Sequence, residues 1–194
     1  MKASVARSTN HSRTLTLVHI AMFSALMAIG ANISSFLIVG GVPITLQTFF
    51  AILAGLLLGK RLGAASMIVY ALIGLAGAPV FSRFSGGMDT VISPTFGFIV
   101  SFVFAAYAAG WIASKMPSKK GFILAALIGT TINYLVGTNW MYVAYKFWFA
   151  APEGFTYTMA WAWMVVPLPK DILLAVLGGL FGHRLLPVIR KYNS

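Results

Sequence analysis

Long apolar runs alternate along this chain with short breaks that are basic, or rich in glycine and proline. A membrane-crossing helix needs roughly 20 predominantly apolar residues, or about 17 at the short end. The first run extends from about Leu15 to Ser35, behind a polar, basic stretch from Met1 to Arg13. Gly40-Gly41-Val42-Pro43 then breaks the chain. A short second run covers Ile44 to Leu58 and ends in a tight basic turn, Gly59-Lys60-Arg61-Leu62-Gly63. The third covers Ala64 to Leu75. A loop of different composition follows, from Gly77 to Asp89, and leads through Ser93-Pro94-Thr95 into a fourth helix ending near Ser114. Lys115 to Lys120 form a basic turn, a fifth helix runs from about Gly121 to Phe149, and Ala151-Pro152-Glu153-Gly154 turns the chain again.

The last apolar tract, Phe155 to Ile189, holds Val166-Pro167-Leu168-Pro169-Lys170-Asp171. Proline is well tolerated in the first turn of a helix and poorly within one. The sixth helix is therefore expected to start near Pro169 and end between Arg184 and Lys191, with Phe155 to Val166 a separate hydrophobic lid. That places Asp171 in a first helical turn, where the helix dipole favours a negative charge.

Composition agrees with a membrane setting. The chain has 194 residues, of which 59% are hydrophobic and 9% charged. A soluble domain carries roughly 25% charged residues. The first apolar run exceeds the roughly 7–15 residues of a signal-peptide core, so it reads as a retained helix. The formal net charge of +11 would suggest nucleic acid in a soluble protein. Here the charge is patterned instead. With six spans, eleven of the 14 Lys and Arg fall on one side: Lys2, Arg7, Arg13, Lys60, Arg61, Lys115, Lys119, Lys120, Arg184, Arg190 and Lys191. The three carboxylates, Asp89, Glu153 and Asp171, fall elsewhere. The positive-inside rule then puts both termini in the cytoplasm. The expected fold class is an all-α integral membrane protein with six transmembrane helices, N-in and C-in. It is read as one domain over residues 1–194, with 1–13 a cytoplasmic tail.

Little in the chain points to catalysis. Gly55-Leu-Leu-Leu-Gly59-Lys60-Arg61 is one residue short of a phosphate loop, and Arg61 stands where a Ser or Thr would bind magnesium. Close helix packing accounts for the Gly-x-x-x-Gly spacing better. His11, His19 and His183 lack metal-ligand spacing. There is no cysteine and no Gly-x-Ser-x-Gly elbow. An enzyme is not expected, nor a metal or cofactor.

Other residues point to binding. Ala21 and Ala25 present a smooth face on the first helix, suited equally to packing within the chain or to a partner helix. Thr45 and Gln47 open the second helix, while Asn133 and Trp140 share a face of the fifth with Tyr134 adjacent. Counted from Gly121 at 1.5 Å per residue, Asn133 lies roughly 18 Å along that helix and Trp140 about 28 Å. Gln47, Ser85-Gly86-Gly87, Asn133, Trp140 and Asp171 are candidates to surround one outward-facing pocket. It would suit a small, partly apolar ligand with several hydrogen-bonding groups.

These residues resemble the BioY family, the biotin-specific substrate-binding (S) components of energy-coupling factor (ECF) transporters. The resemblance is carried by Val42-Pro-Ile-Thr-Leu-Gln-Thr48, Ala54-Gly55-Leu-Leu-Leu-Gly59 and Ala71-Leu-Ile-Gly-Leu75. It continues through Pro79-Val-Phe81, Ser85-Gly-Gly87, Pro94-Thr95-x-Gly97, Tyr134-x-x-Gly137-x-x-Trp140 and Pro169-x-Asp171, nearly the whole chain in order. It implies the ECF S-component fold in a prokaryotic cytoplasmic membrane. The ligand would be biotin, and the partners a transmembrane coupling (T) protein and two ATP-binding cassette ATPases. By the same resemblance Ala21 and Ala25 would face the coupling protein. Two departures stand out. The family pattern puts a lysine three residues after the sixth-helix aspartate, but here that position is Leu174 and the lysine is Lys170, which is expected to point elsewhere. Phe96 and Phe98 replace a Gly and a Tyr with no Arg following, which leaves Arg83 and Lys146 as candidates to meet a ligand carboxylate. An S component for riboflavin or thiamine, or an assembly protein without ligand, are the alternatives.

Overall fold

The computed structural model describes the backbone of residues 2–39 and 42–193 and the side chains of 13–38 and 42–188. Among the described residues, apart from a two-residue antiparallel pair and an isolated bridge between Phe81 and Ser85, the regular secondary structure is helical: α1 (Lys2–Asn32), α2 (Gln47–Leu75), α3 (Phe96–Lys115), α4 (Lys119–Phe147), α5 (Tyr157–Val165) and α6 (Leu168–Asn193). Five helices are long and apolar enough to cross a membrane, with spans over Arg13–Asn32, Gln47–Leu75, Phe96–Lys115, Lys119–Phe147 and Leu168–Val188. Leu17, Leu72, Phe104, Leu173 and Phe181 point out of the bundle, as expected of a lipid-facing surface.

α2 reverses on itself at one residue. Gly59 has φ +80° and ψ 172°, a region that is essentially glycine-only. The two halves fold back so tightly that a β-carbon on Gly63 would sit 2.7 Å from the Cα of Gly55. A straight helix would hold those two residues about 12 Å apart. Gly55 in turn abuts the backbone carbonyl of Ala106 on α3. Gly55 and Gly63 thus serve packing, while Gly59, at which a β-carbon would meet nothing within 4 Å, serves the reversal itself. The turn is narrower than the Gly59–Gly63 stretch expected, because Lys60, Arg61 and Leu62 are all compatible with helix and only Gly59 needs the unusual backbone.

Small residues let α3 and α4 approach closely. Ala105, Ala109, Ala125 and Ala126 are fully buried there, while Ala106 is buried against α2. Phe23, Met27, Met67, Tyr70 and Phe81 fill the wider space between α1, α2 and the loop that follows. Ser24 crosses from α1 to α2, its hydroxyl donating to Ser66 O at 2.9 Å. Ser118 caps α4 by accepting from Gly121 N–H at 3.1 Å, and Thr156 caps α5 by accepting from Met159 N–H at 3.2 Å.

Several boundaries differ from the sequence reading. α1 begins at Lys2, so the polar stretch read as a tail has a helical backbone. The break expected at Gly40-Gly41 lies outside the described residues. Around it Ile38–Val39 pairs with Val42–Pro43, an element that a two-residue signal does not announce. α6 starts at Leu168 with Pro169 in its first turn, and the Phe155–Val166 lid contains the short helix α5.

Replacing Gly59 with Ala is expected to lower stability by about 1–3 kcal/mol, the usual cost of a side chain in a glycine-only region. Lys60→Ala next to it should stay within about 0.5 kcal/mol. Thermal unfolding in detergent checks both, and equal midpoints for the two variants would contradict the assignment of the reversal to Gly59.

Candidate functional site

At the end of the bundle away from Lys60, Lys115 and Lys119 lies a cavity of about 650 Å³. That volume falls in the roughly 300–1,000 Å³ range of small-molecule sites. Its floor is made by Thr48 of α2, Phe98, Ile99 and Phe102 of α3, and Asn133 and Tyr134 of α4. Its walls are Val42 to Thr45, the loop from Phe81 to Thr95, Tyr145 and Phe149, with Met164, Pro167, Lys170 and Asp171 closing the side of α5 and α6.

Asp171 is only 7% exposed. A buried carboxylate is costly unless it is paired and hydrogen-bonded. Tyr134 OH donates to Asp171 Oδ2 at 2.7 Å. Lys170 Nζ lies 2.7 Å from Asp171 Oδ1 and donates to Thr45 O at 2.6 Å. Lys170 therefore turns into the cavity, contrary to expectation. Neighbouring helical residues do start about 100° apart, but the first turn of α6 lies beside Thr45, and the four-carbon stem of lysine curls back to reach both oxygens. An ammonium offers three donors and a carboxylate about four acceptor positions, so these contacts leave capacity on both groups.

The floor is equally ordered. Thr48 Oγ1 donates to Asn133 Oδ1 at 3.2 Å, and Asn133 Nδ2 donates to Ser101 Oγ at 2.6 Å. Gln47 Nε2 donates to Tyr70 OH at 2.8 Å, and Tyr70 OH donates to Val80 O at 3.1 Å, tying α2 to the start of the 77–95 loop.

That loop makes two 3-10 turns, Ser82–Phe84 and Met88–Ile92. Arg83 and Phe84 have φ of 62° and 55°, a left-handed conformation uncommon for residues other than glycine. Arg83 lines the cavity, and among the described residues its guanidinium has no hydrogen bond or ion pair. Ser85 Oγ donates to Ser82 O at 2.9 Å, so its proton is used within the turn. Ser82 Oγ is buried without a partner among the described residues.

Of the residues singled out from sequence, Gln47, Arg83, Ser85, Gly86, Asn133, Tyr134 and Asp171 line this one cavity. Gly87, Trp140 and Lys146 are outside its lining. Gly87 N–H donates to Gly74 O at 2.7 Å and anchors the base of the loop. Trp140 packs over Gly97 and donates from Nε1 to Ser93 O at 3.0 Å. It does share the face of Asn133, but that face meets α3, and two turns higher the start of α3 covers it. Lys146 Nζ sits 5.7 Å from the Tyr142 ring centroid and 5.5 Å from that of Phe147. Thr48, Ser82, Asp89 and Tyr145 also line the cavity and escaped the sequence reading. Two had a signal: Tyr145 is eleven residues after Tyr134, three helical turns on the same face, and Asp89 is one of only three carboxylates. Ala21 and Ala25 are exposed on the outer side of α1. Among the described residues they are left uncovered, while Ser24 and Met27 turn inwards.

Comparison with known proteins follows the same lines. The family model described as the BioY family matches residues 2–191. A Bacillus subtilis protein named putative biotin transporter BioYB is 51% identical over 163 residues, covering 81% of this chain and 80% of that one. A Lysinibacillus sphaericus protein named probable biotin transporter BioY is 41% identical over 183 residues, covering 93% and 91%. In fold, the chain is similar to the crystal structure of the S-component for biotin from an ECF-type ABC transporter. The TM-score is 0.79 at 24% identity, over 94% of each chain.

The half-sheltered ion pair has a measurable consequence. Lys170 is 32% exposed and Asp171 8% by side chain, so the pair lies between the exposed limit of about 0–1 kcal/mol and the roughly 3–5 kcal/mol lost when one partner of a buried pair is removed. Lys170→Met alone is expected to cost roughly 1–3 kcal/mol. The double variant with Asp171→Leu should recover most of that loss, because no lone charge remains. Unfolding midpoints of the single and double variants in detergent test this, and a double variant less stable than the single one would contradict it.

Proposed function

The chain belongs to the BioY family, and from that membership we propose that it captures biotin at the outer face of a prokaryotic cytoplasmic membrane, as the substrate-binding subunit of an ECF-type importer. The observation that carries the reading is the polarity of the cavity. A carboxylate with an ammonium beside it lines the cavity from α6, and the Arg83 guanidinium, without a partner among the described residues, lines it from the 77–95 loop. Biotin offers complementary groups: a ureido ring with two N–H donors and a carbonyl, an apolar sulfur ring, and a valerate carboxylate. Asp171 accepts from a ureido N–H, and a charged acceptor makes the stronger bond. Lys170, held against Asp171, has a donor left for the ureido oxygen. Tyr134 and Tyr145 flank the bicyclic ring, with Phe98 and Ile99 beneath. Asn133, Gln47, Ser85, Gly86 and Ser82 line the polar edges. Arg83 receives the carboxylate in preference to Lys146, which rests over Tyr142 and Phe147 outside the cavity. No bond of the ligand is made or broken, and ATP is hydrolysed by partner proteins.

The same reading sets topology and partnership. The reversal at Gly59 divides α2 into two spans, which makes six with α1, α3, α4 and α6, in one domain. Lys60 and Arg61 at the reversal, Lys115, Lys119 and Arg184 then share the cytoplasmic side with both termini. Ala21 and Ala25, exposed and small, offer α1 to a transmembrane coupling protein, which carries two ATPases.

Biotin should bind the purified protein in detergent or nanodiscs. Asp171→Ala should weaken it by roughly 10- to 150-fold, the range for losing a charged hydrogen bond of about 1.5–3 kcal/mol. Unchanged affinity in that variant would overturn the pose. Binding of another vitamin and not biotin would leave the family and overturn the substrate. Ala21→Trp and Ala25→Trp should bind biotin normally yet lose copurification with the coupling protein and ATPases.

Because the chain has no cysteine, topology can be read from single introduced ones. Glu153→Cys should react with a membrane-impermeant maleimide in intact cells, and Lys119→Cys only after permeabilisation. The reverse pattern would invert the orientation.

A further inference from the structure

The loop that carries Arg83 is held at its apex by α1, and we infer that Asn32 is the positioning residue that aims the Arg83 guanidinium at the ligand carboxylate. The inference rests on the biotin reading above. Arg83 and Phe84 have consecutive left-handed backbones, φ 62° and 55°. Two such residues in a row do not keep this conformation by their own preference, and it persists only where surrounding contacts impose it.

Most of the bonds near the apex do not impose it. Phe81 N–H donates to Ser85 O at 3.0 Å, and Ser85 Oγ donates to Ser82 O at 2.9 Å. Both are internal to the turn and move with it. At the base, Phe81 is buried against Tyr70, ring centroids 5.4 Å apart, and Gly87 N–H donates to Gly74 O at 2.7 Å. These fix where the turn leaves and rejoins the bundle, not how its tip is turned. The side chain at the tip gives no purchase, since Phe84 is 63% exposed. Arg83 itself is exposed and without a partner among the described residues.

One bond reaches the tip from another element: Phe84 N–H donates to Asn32 Oδ1 at 2.8 Å. Asn32 is the last residue of α1, and its Nδ2 donates to Ala28 O at 2.9 Å. The carboxamide is thus oriented from both ends, NH2 towards its own helix and oxygen towards the loop. The peptide it grips joins Arg83 to Phe84, so the bond sets the direction in which Arg83 leaves the chain. A guanidinium reads a carboxylate through a planar fork of donors, and that geometry depends on direction. Without the tie, Arg83 relaxes towards ordinary backbone and its fork swings off the cavity.

The test compares biotin with biotin methyl ester, which has the same rings and no anionic tail, on the full protein in nanodiscs. Asn32→Leu, nearly the same size but without hydrogen-bonding groups, should weaken biotin about tenfold, the order expected for one lost hydrogen bond. It should leave the ester within about twofold, since the ester lacks what Arg83 reads. Asn32→Asp keeps an acceptor for Phe84 N–H but sets an oxygen against Ala28 O, so it should lose less biotin affinity than Asn32→Leu without matching the unaltered protein. In an Arg83→Gln background, Asn32→Leu should bring no further loss. Equal weakening of biotin and ester by Asn32→Leu would overturn the positioning role, because a general disturbance of the fold does not distinguish the two ligands. If Asn32→Leu fails to fold, Asn32→Ala is read by the same ratio. Equal affinity of the unaltered protein for biotin and ester would instead overturn the carboxylate role of Arg83, and the role of Asn32 with it, while leaving ureido recognition at Asp171 to its own variant.

Discussion

A carboxylate set among apolar helices has to be partnered, and the partners of Asp171 organise the cavity end of the bundle. Tyr134 comes from α4, Lys170 from α6 itself, and through Lys170 the connection between α1 and α2 is drawn in at Thr45 O. Three stretches far apart in sequence thus meet around one charge. Burial makes the pairing compulsory. Yet the pairing does not saturate the groups, because carboxylate and ammonium both retain hydrogen-bonding directions. The arrangement that keeps the charge tolerable in the cavity therefore also leaves it available to a ligand.

The apolar helices, five of them long enough to cross a membrane, were legible because lipid solvation is a strong and simple requirement, and runs of apolar residues answer it directly. Where spans end was less legible. Apolarity reports where hydrocarbon surrounds the chain, while the helix continues for as long as its backbone bonds are made. Hence α1 begins at Lys2, well ahead of its apolar run, and α4 begins at Lys119, capped by Ser118. The reversal at Gly59 is the opposite case. A glycine-lysine-arginine cluster marked a turn correctly, but only backbone conformation reveals that one residue suffices. The contact of Gly63 with Gly55 then explains why both positions lack side chains.

The site was legible where chemistry is scarce and obscure where it depends on direction. Asp171 stood out because carboxylates are few. Asn133 stood out as an amide in an apolar helix, and its bonds to Thr48 and Ser101 join α2, α3 and α4 beneath the cavity. Trp140 shows what a shared helical face leaves undetermined. A face can be shared by residues that meet different neighbours at different heights, and Trp140 meets Gly97 and Ser93 where Asn133 meets Ser101. Lys170 shows the complementary limit. Spacing gives the direction of a Cβ, not the destination of a long flexible side chain. Loop residues such as Ser82 and Arg83 follow no period at all, and only the folded turn reveals which hydroxyl is spent and which cation is without a partner among the described residues.

The two sides of α1 connect these observations. Its inner face carries Ser24 and Met27 into the core, and its outer face leaves Ala21 and Ala25 bare. Its last residue, Asn32, grips the loop over the cavity. From Ala25 to Asn32 is seven residues, about 10 Å of continuous helix. A helix of that length is stiff compared with a turn held in left-handed backbone, so a displacement of α1 is carried to the loop and not absorbed along the way. On the proposed reading, the face that meets the coupling protein and the residue that aims Arg83 sit on one rigid rod. Partner contact and ligand grip are then carried by one and the same helix.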